Sequence, residues 1–530
     1  MKTLLNTGIL LQIEQHAITC DAPAGFAALD ALFEQGEDIE VPAALLGRFR
    51  LCLTEWVDMG YRDADLLSRL SPRLLPQDEA DLSVLDYIRH QLAASCEAIT
   101  REEVEPALDL LDLVLRLGKG ILPPYLEYLA HFWKGRAHRK KGDYELAAQH
   151  ICSAQMAALA AHAPRLVAVT KIHESWLVFQ KGERKAAYQL LDDAEAELRP
   201  TGNTLWMGNI QSARGRFIRR SGEYERALAY FEDAIALYNQ HYSRHPNLAR
   251  ALVNAAYVKR LMALDLQGDA DKGQLHGGVH AQYLKITREA LALLKQAETI
   301  YAAQHHQGGT GSVLVNAGHL HLCSGDIDGA LSEGQRAYDL GRARHDTILT
   351  SRARNLQSAA ELAKSEEQIA EDTSASAHLA VQYAEEAIDL ALQTQNRQLL
   401  AEAYLARGAA AIDEHFQDWE KARDCAAKTA ALVLRDDRDH LYKQLCQLKA
   451  RLLVALGVDE TLKQWSEGHF GDKTFRQIEE DFAELVIPKI WANLGHSVSR
   501  VAQQHSISPK KVRRILQNVG VSAPGRPKTQ

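Results

Sequence analysis

Apolar residues recur along most of the chain at intervals of three and four, with charged and amide side chains between them. That spacing keeps one face of an α-helix apolar. Alternation at every second residue, the mark of a half-buried strand, is nearly absent, so the chain is expected to be all-α. The pattern also repeats at long range. After Gly222, Ala227, Phe231 and Ala234 fall at i, i+4 and i+7 on one stripe, and Gly215 stands seven residues before the glycine. The same offsets give Gly135, Gly142, Ala147, Ile151 and Ala154; Ser175, Gly182, Ala187, Leu191 and Ala194; and Gly318, Gly325, Ala330 and Ala337. From 142 to 182, and from 182 to 222, the step is 40 residues. Each turn glycine suits the left-handed close of a helix, where a Cβ is penalised. Each small residue before it lets a neighbouring helix approach closely.

This small–turn–Tyr–Ala–Phe–Ala spacing resembles the tetratricopeptide repeat (TPR), a helix pair that buries its core by stacking on copies of itself. The resemblance implies a right-handed α-solenoid of antiparallel helix pairs over residues 126–468, each pair longer than the common 34-residue unit. Ala290, Leu294 and Ala297 continue the stripe from a turn projected at residue 285, so the fourth repeat carries about 23 extra residues, placed in a loop at Gln267–His280. A second polar insertion is placed at Ser365–Ala377, before Ala380, Ala384 and Ala387. Gly408, Trp419, Ala422 and Ala426 mark the seventh repeat, and helices near 438–456 and 459–468 close the array. Residues 1–125 read as degenerate repeats capping it, or as a separate helical domain. By the same resemblance, first helices line a concave groove for a peptide or protein. Asn254 and Asn316 occupy one place in the unit and would hold a peptide backbone, with Arg260 and Arg354 supplying charge for a carboxylate. The other reading is that these asparagines bridge adjacent repeats.

Composition adds an asymmetry. Hydrophobic content of 46% and charged content of 25% are ordinary for a globular chain. The net charge of −8, however, splits into +8 on Leu485–Gln530, which has no Asp or Glu, and −16 on the rest. A basic end on an acidic body predicts an anionic partner. No apolar run reaches the roughly 18 residues of a membrane helix, and Met1–Leu4 does not open a signal peptide. Seven scattered cysteines without C-x-x-C spacing fit reduced thiols, so a cytoplasmic setting without membrane attachment is expected.

In the basic end, Phe482, Leu485, Val486, Ile490 and Leu494 predict one helix, Val498–Gln504 a second, and Pro509 onward a third capped by Ser508. Val512, Ile515, Leu516 and Val519 mark its inner stripe. Ser499, Val501, Ala502, Ile507, Ser508, Val512, Leu516, Gly520 and Val521 resemble the Fis-like helix–turn–helix of bacterial regulators. His505 and Ser506 depart from its usual Leu–Gly turn. The resemblance, over 475–521, implies binding to double-stranded DNA as a homodimer. Lys510, Lys511, Arg513, Arg514 and Gln517 would enter the major groove, with Ser497, Ser499 and Arg500 nearer the backbone. The opposing reading is an ordinary solvated helix face. The tail 522–530 holds Gly525–Arg526–Pro527–Lys528, which resembles half an AT-hook; the other reading is a basic arm on phosphates through Arg526 and Lys528.

No catalytic constellation is legible. Gly308–Gly309–Thr310–Gly311 lacks the G-K-[ST] of a phosphate loop, and H-E-x-x-H and G-x-S-x-G do not occur. His276, His280, His305, His306, His319, His321 and Cys323 read as packed or solvated rather than as metal ligands. No cofactor is expected. The sequence therefore describes a non-enzymatic transcriptional regulator, a sensing superhelix joined to a DNA-binding end. Its rival is a TPR scaffold with a basic docking tail.

Overall fold

The computed structural model describes residues 3–34, 39–62, 64–76, 82–269, 277–367, 374–455, 465, 468 and 473–519. By packing the chain divides into two units, Met1–Leu445 and Cys446–Gln530.

The first unit opens with α1 (Thr7–Ile18), α2 (Ala22–Leu32), α3 (Leu46–Asp58) and α4 (Ala64–Leu70). A two-residue parallel pair, β1 (Thr3–Leu4) with β2 (Ile39–Glu40), is the one sheet among the described residues. Helix pairs then follow in strict succession. They are α5 (Val84–Thr100) with α6 (Val104–Leu117), α7 (Pro124–Lys141) with α8 (Tyr144–Ala160), α9 (Pro164–Gln180) with α10 (Arg184–Leu198), and α11 (Thr204–Arg220) with α12 (Tyr224–His241). Next come α13 (Pro246–Asp269) with α14 (Gly277–Ala303), α15 (Gln307–Cys323) with α16 (Ile327–Ala343), α17 (Thr347–Glu367) with α18 (Ala375–Leu392), and α19 (Arg397–Ala411) with α20 (Trp419–Leu432). The last is α21 (His440–Ala455). This is a TPR-like helical solenoid.

The repeat chemistry is visible in the packing. Gly142, Gly182, Gly222 and Gly325 all have positive φ, between 78° and 97°. The stripes Ala147/Ile151/Ala154, Ala187/Leu191/Ala194 and Ala227/Phe231/Ala234 are buried to 3% exposure or less. Phe231 fills the space beside Gly215, where a Cβ would lie 3.0 Å from its ring. One buried core includes residues from Leu5 to Leu320, with a separate cluster around Ala227 and Phe231, so the N-terminal helices share the array's interior. Helices α5 and α6 form a pair in the same 40-residue phase. Glu102 stands at the turn with φ 64°, and Ala107, Leu111 and Val114 make the buried stripe.

Two expectations need correction. No turn occurs at 285, because α14 starts at Gly277 and runs through it. The extra residues of that repeat lengthen α13 and α14 to 24 and 27 residues, so 267–269 and 277–280 are helical rather than loop. Nothing between Gly278 and Ala303 is a proline or glycine that would stop the helix. Likewise α17 continues to Glu367 and α18 begins at Ala375, which narrows the second polar insertion. The rest of both stretches, and most of 459–468, lies outside the described residues.

The second unit contains α22 (Phe475–Asn493), α23 (Val498–Gln504) and α24 (Pro509–Asn518). Its core is Ile487, Trp491, Val498, Val501, Ala502, Val512, Ile515 and Leu516. The inner face of α22 is thus rotated from the one expected. Phe482 is 51% exposed and Val519 at the end of α24 is 37% exposed, while Ile487 and Trp491 point inward.

Candidate functional site

Two surfaces carry chemistry, one in each unit. In the array, α9, α11, α13, α15 and α17 each contact the next first helix, whereas successive second helices make no comparable contact. Close spacing on one side and splay on the other makes the first helices the inner wall.

Their side chains sort by register from the small residue (Gly135, Ser175, Gly215, Ala256, Gly318, Ser358). Positions one and four before it face the second helices, and cations there are paired with carboxylates. Arg214 bonds Asp192 and Glu195, Lys171 bonds Asp193, and Arg354 pairs with Glu386 at 2.6 Å. Positions one and four after it, and six before it, share the opposite face of the helix. That face carries Arg136, which pairs with Asp58, and six more arginines: Arg216; Arg139, Arg219 and Arg260; and Arg250 and Arg352. None of these six has a carboxylate at ion-pair distance among the described residues.

Aromatic rings and amides lie among them. Arg219 and Arg260 sit over the ring of Tyr257, at 4.5 and 5.0 Å, and Arg139 over that of Trp176 at 5.7 Å. Buried Nε atoms of Arg219 and Arg260, Nδ1 of His173 and both amide atoms of Asn355 have no hydrogen-bond partner. Burial, then the charges of Arg216, Arg250 and Arg136, push Arg139 down to about 9. Burial and Arg250 push Arg216 down to about 10. His173 and His319 are held neutral by burial and by neighbouring arginines.

The expected groove residues are placed unequally. Asn254 and Asn316 make the same bond, each Nδ2 donating to the carbonyl four residues back, Arg250 O at 2.9 Å and Ser312 O at 2.8 Å. They share a place in the unit, but Asn316 is buried and Asn254 half-buried. Arg260 is on the inner wall with His319. Arg354 does not join it. Four residues before Ser358 it faces outward, between the rings of Tyr338 and Tyr383 at 3.6 and 4.5 Å. Arg352, two residues earlier, stands on the inner face instead. Among the described residues no group of three or more His, Cys, Asp or Glu is arranged to hold a metal; His321 instead pairs with Asp326 at 2.8 Å.

The superhelix also meets itself. Gly142 O accepts from Gln395 N–H at 3.0 Å, and Arg220 O accepts from Arg438 N–H at 2.9 Å. Fully buried Asp437 pairs with Arg184 at 2.5 Å and with Arg220. Glu102, buried, accepts from Gly308 N–H and Lys140 Nζ, both at 2.7 Å. His306 and Lys140 hold its carboxyl below the usual range despite burial.

In the second unit, Ser508 Oγ accepts from Lys511 N–H at 3.1 Å and caps α24, and Ser497 caps α23. Lys510, Lys511, Arg514 and Gln517 are exposed on the face opposite Val512, Ile515 and Leu516, and Arg513 is half-buried. Ser499 and Arg500 are exposed on α23, whereas Arg526 and Lys528 lie outside the described residues. Among the described residues no helix is long and apolar enough to cross a membrane.

No protein-family model matches the sequence, and no curated protein matches it. Among solved structures, a Rap protein complexed with Competence and Sporulation Factor is similar, with a TM-score of 0.50 and 14% identity, over 73% of this chain and 98% of that one. The apo form of the quorum sensor NprR from B. thuringiensis matches with a TM-score of 0.45 and 14% identity, over 72% and 97%. At such identities the likeness is one of fold, and it is with a helical-repeat protein of the TPR type.

Proposed function

We propose that the protein is a non-enzymatic, DNA-binding transcriptional regulator whose TPR-like array binds a peptide or protein and whose C-terminal unit acts as a helix–turn–helix. One observation carries this reading. Helix α24 buries Val512, Ile515 and Leu516 on one side and presents Lys510, Lys511, Arg514 and Gln517 to solvent on the other, in a segment without acids. Such a helix fits a major groove, where Arg and Gln read base edges and Lys contacts phosphates. The turn before it places Ser506 at φ 50°, and Ser508 with Pro509 starts the helix. For the array, the similar Rap protein is complexed with Competence and Sporulation Factor, and the inner wall here offers unpaired donors to a partner.

The unit works as a homodimer in this reading. Phe475 and Phe482, 77% and 51% exposed, stand seven residues apart on one face of α22 and suit contact with a second copy. Sedimentation that finds only monomers, with and without DNA, removes the dimer. The test of DNA binding is a mobility shift on random duplex DNA at low and high salt. Binding should weaken steeply with salt, and Arg513→Ala with Arg514→Ala should abolish it. Unchanged binding by the double variant refutes the assignment.

A further inference from the structure

The outward cations of the array are matched by carboxylates of the second helices, whereas six of the seven inner arginines, all but Arg136, have no carboxylate at ion-pair distance among the described residues. Arg139, Arg216 and Arg250 form one group, and Arg219, Arg260 and Arg352 another. Arg216 and Arg219 link them on α11, about 4.5 Å apart along the axis. Like charges gathered without a carboxylate at ion-pair distance destabilise the empty wall, an arrangement that persists where a ligand completes it. Guanidinium groups match carboxylates in a planar two-bond fork. Between them, Trp176 and Tyr257 offer ring faces, and Asn355 offers an amide whose donor and acceptor are both unused.

We infer that the inner wall of the array selects an acidic peptide, its carboxylates taken by Arg139, Arg216 and Arg250 and by Arg219, Arg260 and Arg352. This rests on the peptide reading above and adds the ligand's charge. The carboxylates come from Asp or Glu side chains or from a free C-terminus. The amphipathic surroundings favour a peptide over a bare anion, because the rings and the amide contact chain that a phosphate lacks. Glu402 lies near Arg352 and Arg219; burial raises its proton affinity, against the pull of those arginines.

The test incubates the full chain with three pools of random heptapeptides, acidic, neutral and basic, each with free and amidated C-termini. Retained peptides are read by mass spectrometry. Acidic peptides should be retained at least about tenfold over basic ones, the worth of one charge-assisted bond. Loss on amidation assigns the terminal carboxylate; persistence assigns the side chains. Arg216→Gln with Arg260→Gln should erase the charge preference. Without ligand, the same variant should melt at or above the parent temperature, since it relieves repulsion and breaks no ion pair. Retention without charge preference, or a variant that selects like the parent, overturns this inference and leaves peptide binding standing. Failure of all pools overturns peptide binding itself. A marked fall in the variant's melting temperature makes the arginines structural and also overturns it.

Discussion

Asp437 is the clasp where the winding array meets its own earlier repeats. Its side chain is fully buried, Arg184 and Arg220 both pair with it, and its Oδ2 also accepts from Leu434 N–H at 3.2 Å. Asp437→Asn keeps the shape and removes the charge. Arg220, whose side chain is 8% exposed, then keeps Asp439, at 3.4 Å, as its one carboxylate beside its bond to Gln398 Oε1, and Arg184 keeps the Ser221 hydroxyl at 2.7 Å and the Phe179 ring but no carboxylate. Breaking a buried pair from one side typically costs about 3–5 kcal/mol, because the remaining charge stays desolvated. Two cations share this carboxylate, so the upper part of that range is expected. Urea unfolding of the first unit supplies the measurement. Arg220→Gln added to Asp437→Asn should cost less than the sum of the two single changes, since both remove one interaction. A loss under about 1 kcal/mol, or simple additivity, would mean that the seam is held by Gly142–Gln395 and its like, and that the clasp is ornamental.

Three other outcomes follow from the same geometry. Burial raises the Glu55 carboxyl from 4.5 to about 8, against the bonds from Tyr125 Oη at 2.6 and 2.5 Å. The folded chain therefore holds a proton that the unfolded chain releases, so stability falls as pH rises from about 4.5 to 8, by a few kcal/mol at about 1.4 per unit. Glu55→Gln should flatten that slope in thermal melts at pH 5 and pH 8; an unchanged slope places the proton elsewhere. Gly325→Ala and Gly222→Ala share a positive φ of 78–79°, worth roughly 1–2 kcal/mol. Gly222 alone would also set a Cβ 2.6 Å from Arg438 O, so it should lose clearly more in chemical unfolding; equal losses contradict the seam. Glu102→Gln should destabilise the array, with rescue by neither salt nor pH, because it removes the anion shared by Lys140, His306 and Gly308 N–H.

The fold was legible where one residue type has one use. Glycine at φ 78–97° and alanine at close approach mark the turns and stripes, so four repeats stand out in the bare sequence. The pair α5–α6 read only as a degenerate repeat without a marked turn, because its turn residue is Glu102, and the reason for a glutamate lies 206 residues away at Gly308. Nothing local records the seam, which joins segments 217 and 253 residues apart. The inner arginines were half legible. Their register was present in the chain, but only the contacts between first helices show which face is inward, and that choice exchanges Arg354 for Arg352. In the second unit, Pro509, Ser508 and the Val512–Leu516 stripe fixed α24. The apolar run on α22 offered two overlapping faces, and packing against Val501 and Val512 selected Ile487 and Trp491.

The claim that α24 delivers this protein to DNA is tested most directly by chromatin immunoprecipitation with sequencing in the cells that make it, comparing the parent chain with Arg513→Ala/Arg514→Ala. The account predicts discrete, reproducible sites for the parent and their loss in the variant at equal protein level. Enrichment no greater than background, or the same sites in both, contradicts it.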